Sequence, residues 1–191
     1  MDILDNPQVI AQRDPHDVLN HTVTKWSDLV STAQWSTTTP YDTNEAKQLA
    51  WMVMGKSVVI YASEQLRDVA QHWKRAINRH AHTVAWVGAP IEQSKDEQAG
   101  WLSHPIEKAY AVIDLVSSFD SPETTHAFSE ASRRLSGRRP APQRVILHGE
   151  SLSDQVTYGK ALGEFMACYL AVLHGVVPHD DALIRTGEGH R

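Results

Sequence analysis

The chain has 191 residues, of which 41% are hydrophobic and 21% are charged. This is an ordinary globular composition that can bury one good core, so one domain is expected and disorder is excluded. The formal net charge of −5 gives no general basic field, so nucleic acid is not an expected partner.

Residues 1–43 differ in pattern from the rest of the chain. The opening residues MDILDNPQVIAQRDPHD are acidic and broken by prolines, which predicts no signal peptide. Apolar residues then recur at helical spacing from Val18 to Val30, which indicates one helix of about 18 residues. We interpret 1–43 as a helical arm or linker that lies outside the main sheet.

Residues 44–191 alternate between helical and strand patterns. The predicted elements are, in order, helix 44–54, strand 57–61, helix 64–80, strand 84–87, strand 109–116, helix 122–135, strand 144–148 and helix 153–173. Short apolar strands between long helices predict an α/β fold. We expect a three-layer α/β/α sandwich around a parallel sheet, of the flavodoxin-like kind.

The last predicted helix is apolar on more than one side, which predicts a homodimer. It carries the only cysteine, Cys168, which we interpret as a packing thiol. A single cysteine fits a reducing compartment and predicts a cytoplasmic location. No apolar run approaches the roughly 20 residues of a membrane span, so no membrane partner is expected.

One segment resembles an active-site sequence. It opens with GKSVVIYAS, continues with Trp73-Lys74 and Asn78, and closes with the stretch from Pro90 to Glu97 and with Gly100-Trp101. These residues resemble the C-terminal sugar isomerase (SIS) domain of the bifunctional phosphoglucose/phosphomannose isomerases. The likeness covers residues 44 to about 184, since GESLSDQVTYGKALGEFMACYLAVLHGVVPHD is similar to the family's closing helix.

The resemblance implies three catalytic positions, and all three are substituted. Arg79 stands where the family has its glutamate base, Lys95 where it has its ring-opening histidine, and Glu188 where it has a catalytic lysine. A guanidinium cannot act as a base near neutral pH. We therefore predict a catalytically degenerate domain with a structural or sugar-phosphate-binding role, and no confident catalytic residue.

Two other functions stay open at this point. The chain could be an active aldose–ketose isomerase with a rewired base, for which Glu92 is the best candidate and Glu97 and His80 are the others. It could instead be an interaction module that completes another SIS protein. Turnover separates the first alternative from degeneracy, and homodimer formation by the protein alone separates the second.

A ligand is expected beyond the carboxyl ends of neighbouring parallel strands, where open α/β sheets form crevices. The candidate substrate-binding residues are Ser63, Lys74, Arg79 and Lys95, with Lys95 in a loop and Ser63 at the start of a helix that favours anions. A sugar phosphate or another small anion would bind there, with no cofactor and no metal.

Each candidate also has a plainer interpretation. Arg79 and Lys95 taken singly have the pattern of solvated surface charges. Trp73 is interpreted as a core residue. Arg138 and Arg139, with two further arginines before them, have the pattern of a solvated helix end.

Overall fold

A computed structural model of the chain describes residues 34–90, 95–102 and 109–176, without the side chains of Lys95 and Gln98. Its helices and strands are α1 (Glu45–Val53), β1 (Ser57–Ala62), α2 (Arg67–Ala81), β2 (Ala85–Gly88), α3 (Lys95–Leu102), β3 (Tyr110–Val116), α4 (Pro122–Arg134), β4 (Gln143–Ile146) and α5 (Leu152–Leu173). A 3-10 turn, Glu64–Leu66, joins β1 to α2. The predicted elements between residues 44 and 173 are thus confirmed, with ends shifted by a few residues.

The sheet is parallel throughout, and its strand order is β2-β1-β3-β4. Tyr61 pairs in register with Gly88 of β2 and with Asp114 of β3, and Asp114 pairs with Arg144 of β4. The connection β1–α2–β2 runs toward one edge of the sheet, and β3–α4–β4 runs toward the other. The topological switch point, where ligands bind in open α/β folds, therefore lies between β1 and β3.

The two faces of the sheet carry separate cores, because successive strand residues point to opposite faces. Val58, Ile60 and Ala62 pack with α1, α2 and α5 into the larger core. Tyr61 and its neighbours on the opposite face pack with α3 and α4 into a smaller one. The predicted α/β/α sandwich is confirmed by this arrangement.

Local sequence fixes where the helices begin. Asn44 accepts a hydrogen bond from the Lys47 backbone N–H and so caps α1. Ser151 and Asp154 form a reciprocal capping box at the start of α5. Both devices satisfy backbone donors that a helix leaves free in its first turn.

The structure corrects one predicted loop and extends one predicted boundary. Residues from Lys95 onward form the helix α3 and not a loop. Trp35, which belongs to the predicted arm, is buried in the larger core. The predicted helix between Val18 and Val30 lies outside the described residues, as do Glu92 and Glu188.

Among the residues that the structure describes, no helix is long and apolar enough to cross a membrane. The same part of the chain contains no group of three or more His, Cys, Asp or Glu side chains placed to hold a metal ion.

Candidate functional site

Two serines follow the strands that flank the switch point. Ser63 comes directly after β1 and Ser117 directly after β3, and both are buried. The Ser63 hydroxyl has no hydrogen-bond partner among the described residues. A buried hydroxyl without a partner is unfavourable by about 1–3 kcal/mol, so a ligand or a water molecule that bonded to it would be stabilising.

Polar groups of the loops after β3 and β4 are joined by Gln155 of α5. The Ser117 hydroxyl donates to Gln155 Oε1 at 2.6 Å, and Gln155 Nε2 donates to the Ser118 hydroxyl at 2.7 Å and to the Gly149 carbonyl at 3.2 Å. Gly149 has a φ of 149°, and a Cβ there would lie 2.5 Å from the Asp154 Cβ. The loop after β4 can therefore approach α5 closely only because residue 149 is glycine.

Ser63 and Arg79 do not lie together within one chain. Ser63 precedes α2, whereas Arg79 lies in its last turn, exposed at the opposite end of the helix. Twelve residues separate Arg67 from Arg79, which is about 18 Å of helix. The contribution of Arg79 to a pocket at Ser63 stays a prediction, and within a single chain α2 separates the two residues.

Of the other two predicted ligand-binding cations, the structure describes the side chain of Lys74 and not that of Lys95. Lys74 lies near the middle of α2 and is half-buried, so it is also distant from Ser63 along the helix. Lys95 is the first residue of α3, and its side chain is outside the described residues. Their roles in binding stay predictions.

His80, a candidate base, is engaged elsewhere. It is 3% exposed, and its Nε2 lies 2.9 Å from Glu164 Oε2, while His72 Nε2 lies 2.8 Å from Glu164 Oε1. These contacts to His72 and His80 hold the pKa of Glu164 below its usual value. The cluster joins α2 to α5, which makes His80 a bridge between helices.

A second polar group lies on the opposite face of the sheet. Asp114 is 1% exposed and neither of its carboxylate oxygens finds a hydrogen-bond partner among the described residues. Burial raises its pKa from 3.8 to about 6, against the lowering influence of Arg139 and Arg144. The Arg139 guanidinium lies 5.5 Å from the centre of the Tyr61 ring.

Arg139 corrects one interpretation. It is 5% exposed, so it is a buried residue and not part of a solvated helix end. The chain turns back after α4 and inserts this guanidinium beneath the sheet, where Asp114 supplies an opposite charge. Trp73 is confirmed as core, since it is 0% exposed.

Sequence reasoning missed Asp114, Arg139 and Tyr61. The available signal was Asp114 itself, because one carboxylate in the otherwise apolar strand YAVIDLV is unusual for a strand buried on both faces. Nothing in the sequence singles out Arg139 from the three arginines near it. Arg139 is buried because the chain turns back after α4, and the local sequence does not show that turn.

A family profile described as the bacterial phospho-glucose isomerase C-terminal SIS domain matches residues 42–186, which is well over half of the chain. A search among curated proteins finds no significant match.

Several solved structures share the fold. A glucose-6-phosphate isomerase like protein from Thermus thermophilus aligns with a TM-score of 0.66 at 20% identity, over 89% of this chain and 55% of its own. A hypothetical protein from the same organism gives 0.70 at 11% identity, over 95% and 50%. The C-terminal domain of glucosamine-fructose-6-phosphate aminotransferase from Francisella tularensis gives 0.58 at 12% identity, over 93% and 53%. The chain spans about half the length of these proteins.

Proposed function

Because the chain belongs to the family of the bacterial phosphoglucose isomerase C-terminal SIS domain, we propose that it binds a sugar phosphate at the switch point and has lost the family's isomerase chemistry. The observation that carries the binding proposal is the buried Ser63 hydroxyl, which lacks a partner among the described residues and follows β1 at the switch point. A phosphate oxygen would accept a hydrogen bond from that hydroxyl. Backbone N–H groups of the turn that follows it would add donors.

The binding should be weak, because the crevice also holds acidic groups. Glu64 is the residue after Ser63, and Asp120 accepts a hydrogen bond from the Ser117 backbone N–H. These carboxylates oppose an anion. Lys95 remains the proposed source of compensating positive charge.

Loss of isomerisation follows from the residue at the base position. Arg79 is exposed in the last turn of α2. A guanidinium offers hydrogen-bond donors and no acceptor, so it cannot replace a carboxylate base. General base catalysis is typically worth about 10²–10⁴-fold, so its loss should remove most activity.

Calorimetry tests the binding site. Glucose 6-phosphate and inorganic phosphate are titrated into the wild type, Ser63→Ala and a matched control, Ser129→Ala, whose serine is exposed on α4. We expect Ser63→Ala to weaken binding by about tenfold, because a hydrogen bond to a charged group is lost, and Ser129→Ala to bind as the wild type does. Arg79→Ala should also bind normally.

Other outcomes overturn the proposal in different ways. Equal heats for Ser63→Ala and Ser129→Ala, or no heat at all, would leave a structural domain. Loss of binding in Arg79→Ala would indicate a site assembled from two chains. Conversion of glucose 6-phosphate to fructose 6-phosphate in a coupled assay would contradict the loss of chemistry.

An isomerase with a rewired base is the second candidate function. Glu97 supports it, since its carboxylate lines an open cleft and burial raises its pKa. His80 does not, because its Nε2 already contacts Glu164. Turnover that disappears in Glu97→Gln or in Glu92→Gln would establish this alternative.

We also propose a cytoplasmic homodimer. Its support is a small apolar patch at the amino-terminal edge of the sheet, where Met54, Val172 and Leu173 are exposed. The Gly55 backbone N–H, which donates to His174, joins the ends of α1 and α5 there. Light scattering that reports a monomer would remove the homodimer, and would favour a module that completes another SIS protein.

A further inference from the structure

An open cleft lies on the smaller-core face of the sheet, and neither Ser63 nor Ser117 lines it. Its volume is about 230 Å³, and four aromatic side chains form most of its wall: Tyr61, Trp86, Trp101 and Tyr110. Trp86 is 45% exposed although it lies on a strand. A cleft of this size is smaller than a typical pocket for a drug-sized ligand, so it suits a small group.

The rings are held in fixed relative positions. Trp101 Nε1 donates to the Tyr61 hydroxyl at 2.9 Å, which ties α3 to β1. The Trp101 and Tyr110 rings meet edge to face with centroids 5.6 Å apart, and the Trp86 and Tyr110 centroids are 6.2 Å apart. The wall is therefore a preformed aromatic surface.

Glu97 adds a carboxylate to this surface. A Cβ placed on Gly88 would lie 3.0 Å from both Glu97 carboxylate oxygens, so the carboxylate lies against the sheet because residue 88 has no side chain. Burial raises the pKa of Glu97. Its carboxylate lines the cleft, where it would attract a cation.

The lining selects among ligand classes. A phosphate is disfavoured because, among the residues that the structure describes, the charged side chain that lines the cleft is the negative Glu97. A sugar ring needs several polar partners, whereas the Tyr61 hydroxyl already accepts a hydrogen bond from Trp101. Aromatic faces with one carboxylate are the arrangement that attracts alkylammonium groups, through cation–π interactions and charge.

Arg139 is a cation that already contacts one ring of this wall. Its guanidinium lies over the Tyr61 ring. The Asp114 carboxylate carries the opposite charge and partly offsets the positive charge of Arg139. Arg139 does not line the cleft, and the aromatic ring of Tyr61 is the element shared by both groups.

We propose that the cleft between α3 and the sheet is a binding site for a small alkylammonium group, with Trp86, Trp101 and Tyr110 as the aromatic wall and Glu97 as the counter-charge. This site is separate from the proposed sugar-phosphate site. The proposed site would bind the alkylammonium group by its positive charge and its compact apolar surface, and would catalyse no reaction.

The test compares choline with 3,3-dimethylbutan-1-ol, which has nearly the same shape but no charge. The indole N–H resonances of Trp86 and Trp101, assigned with Trp→Phe variants, report binding by NMR. Choline should shift both resonances at millimolar concentration, and the neutral analogue should bind at least about fivefold more weakly. Glu97→Gln should lose a similar factor, and Trp86→Leu should also weaken binding.

Glu123→Gln is the matched control, because it removes a carboxylate in the first turn of α4 outside the cleft, and choline should bind it as it binds the wild type. Equal affinity for choline and the neutral analogue, or equal affinity for wild type and Glu97→Gln with native indole dispersion, would overturn the proposal. So would indole resonances that choline does not move. Glucose 6-phosphate should leave the two indoles unchanged whether or not it binds near Ser63, so the two proposals fail separately.

Discussion

The two faces of the sheet are packed by opposite means. On the larger-core face, Trp73 of α2 is fully buried, and its indole N–H donates to the Gly159 carbonyl of α5 at 2.6 Å. A Cβ on Gly163 would lie 2.4 Å from the Trp73 ring. Helices α2 and α5 can therefore pack this closely because α5 has glycine at positions 159 and 163. On the other face, two charged residues, Asp114 and Arg139, are buried.

This difference separates stability from recognition. Apolar burial at close packing is the main source of folding free energy, and it is concentrated where α1, α2 and α5 meet the sheet. Buried charges and an open aromatic cleft contribute little to stability. The fold can tolerate buried charges and an open cleft on the smaller-core face because the larger core supplies most of the folding free energy.

The largest predicted effect compares one tryptophan from each face. Trp73→Ala should lower the free energy of unfolding by about 3–5 kcal/mol, because it leaves a cavity and removes a buried hydrogen bond. Trp101→Ala should lower it by about 1–2 kcal/mol, since Trp101 is 8% exposed and borders an open cleft. Urea unfolding of both variants measures the difference.

The stability of Trp73→Ala could fall close to zero, since whole domains are stable by only about 5–15 kcal/mol. Trp73→Phe, which keeps most of the volume, is then the variant to measure. A Trp101 variant that loses as much as its Trp73 counterpart would contradict the proposed division between the faces.

The second prediction uses pH to test the buried charge. The pKa of Asp114 is raised from 3.8 to about 6, so the folded state binds a proton more readily than the unfolded state does. The stability contributed by the protonated form is present below pH 3.8 and is lost as the pH rises through about 6. That change corresponds to about 2–3 kcal/mol.

Asp114→Asn should therefore lose this part of the pH dependence. Urea unfolding at several values between pH 4 and pH 7 should show a flatter profile for the variant than for the wild type. Two parallel profiles would mean that Asp114 does not titrate between the folded and unfolded states as its burial implies.

The smallest predicted effect lies on the larger-core face. Glu164 contacts His72 and His80, and its lowered pKa means that it contributes stability above pH 4.5 that is lost as the pH falls through its folded pKa. Its side chain is 36% exposed, so solvent screens the interaction. Glu164→Gln should lower the free energy of unfolding at pH 6 by about 1 kcal/mol or less.

Asp68→Asn is the control for that effect. Asp68 also joins α2 to α5, through Lys160, but it is 74% exposed and should show no measurable change. If Asp68→Asn and Glu164→Gln behave alike at pH 6, the His72–Glu164–His80 cluster has no special role.

Much of the fold could be predicted because its elements carry strong periodic patterns. Helix α2 shows an apolar stripe ending in Trp73 and Ile77, and β3 is an uninterrupted apolar run apart from Asp114. Helix α3 could not be predicted, because Lys95–Leu102 has only eight residues, includes Gly100 and lacks an apolar stripe. Its contact with the sheet, in which Trp101 Nε1 donates to the Tyr61 hydroxyl, is tertiary and leaves no local pattern in the sequence.

Only part of the candidate site could be predicted from the sequence. Ser63 was expected beyond a strand end, and it lies there with a buried hydroxyl. The sequence motif could not show that α2 separates Ser63 from Arg79, because the motif gives the order of residues and not their distance in the fold. The aromatic cleft arises from three strands and one helix brought together, so no local motif encodes it.

Trp35 has a consequence for how this unit can be excised. Its ring lies 5.0 Å from that of Tyr158, and its backbone carbonyl accepts a hydrogen bond from the Tyr169 hydroxyl. A fragment that begins at residue 44 would expose both tyrosines of α5 and open a hole beside them. We therefore expect a fragment that begins at residue 44 to be less stable than one that begins at residue 34, because only the longer fragment keeps the Trp35 contacts with α5.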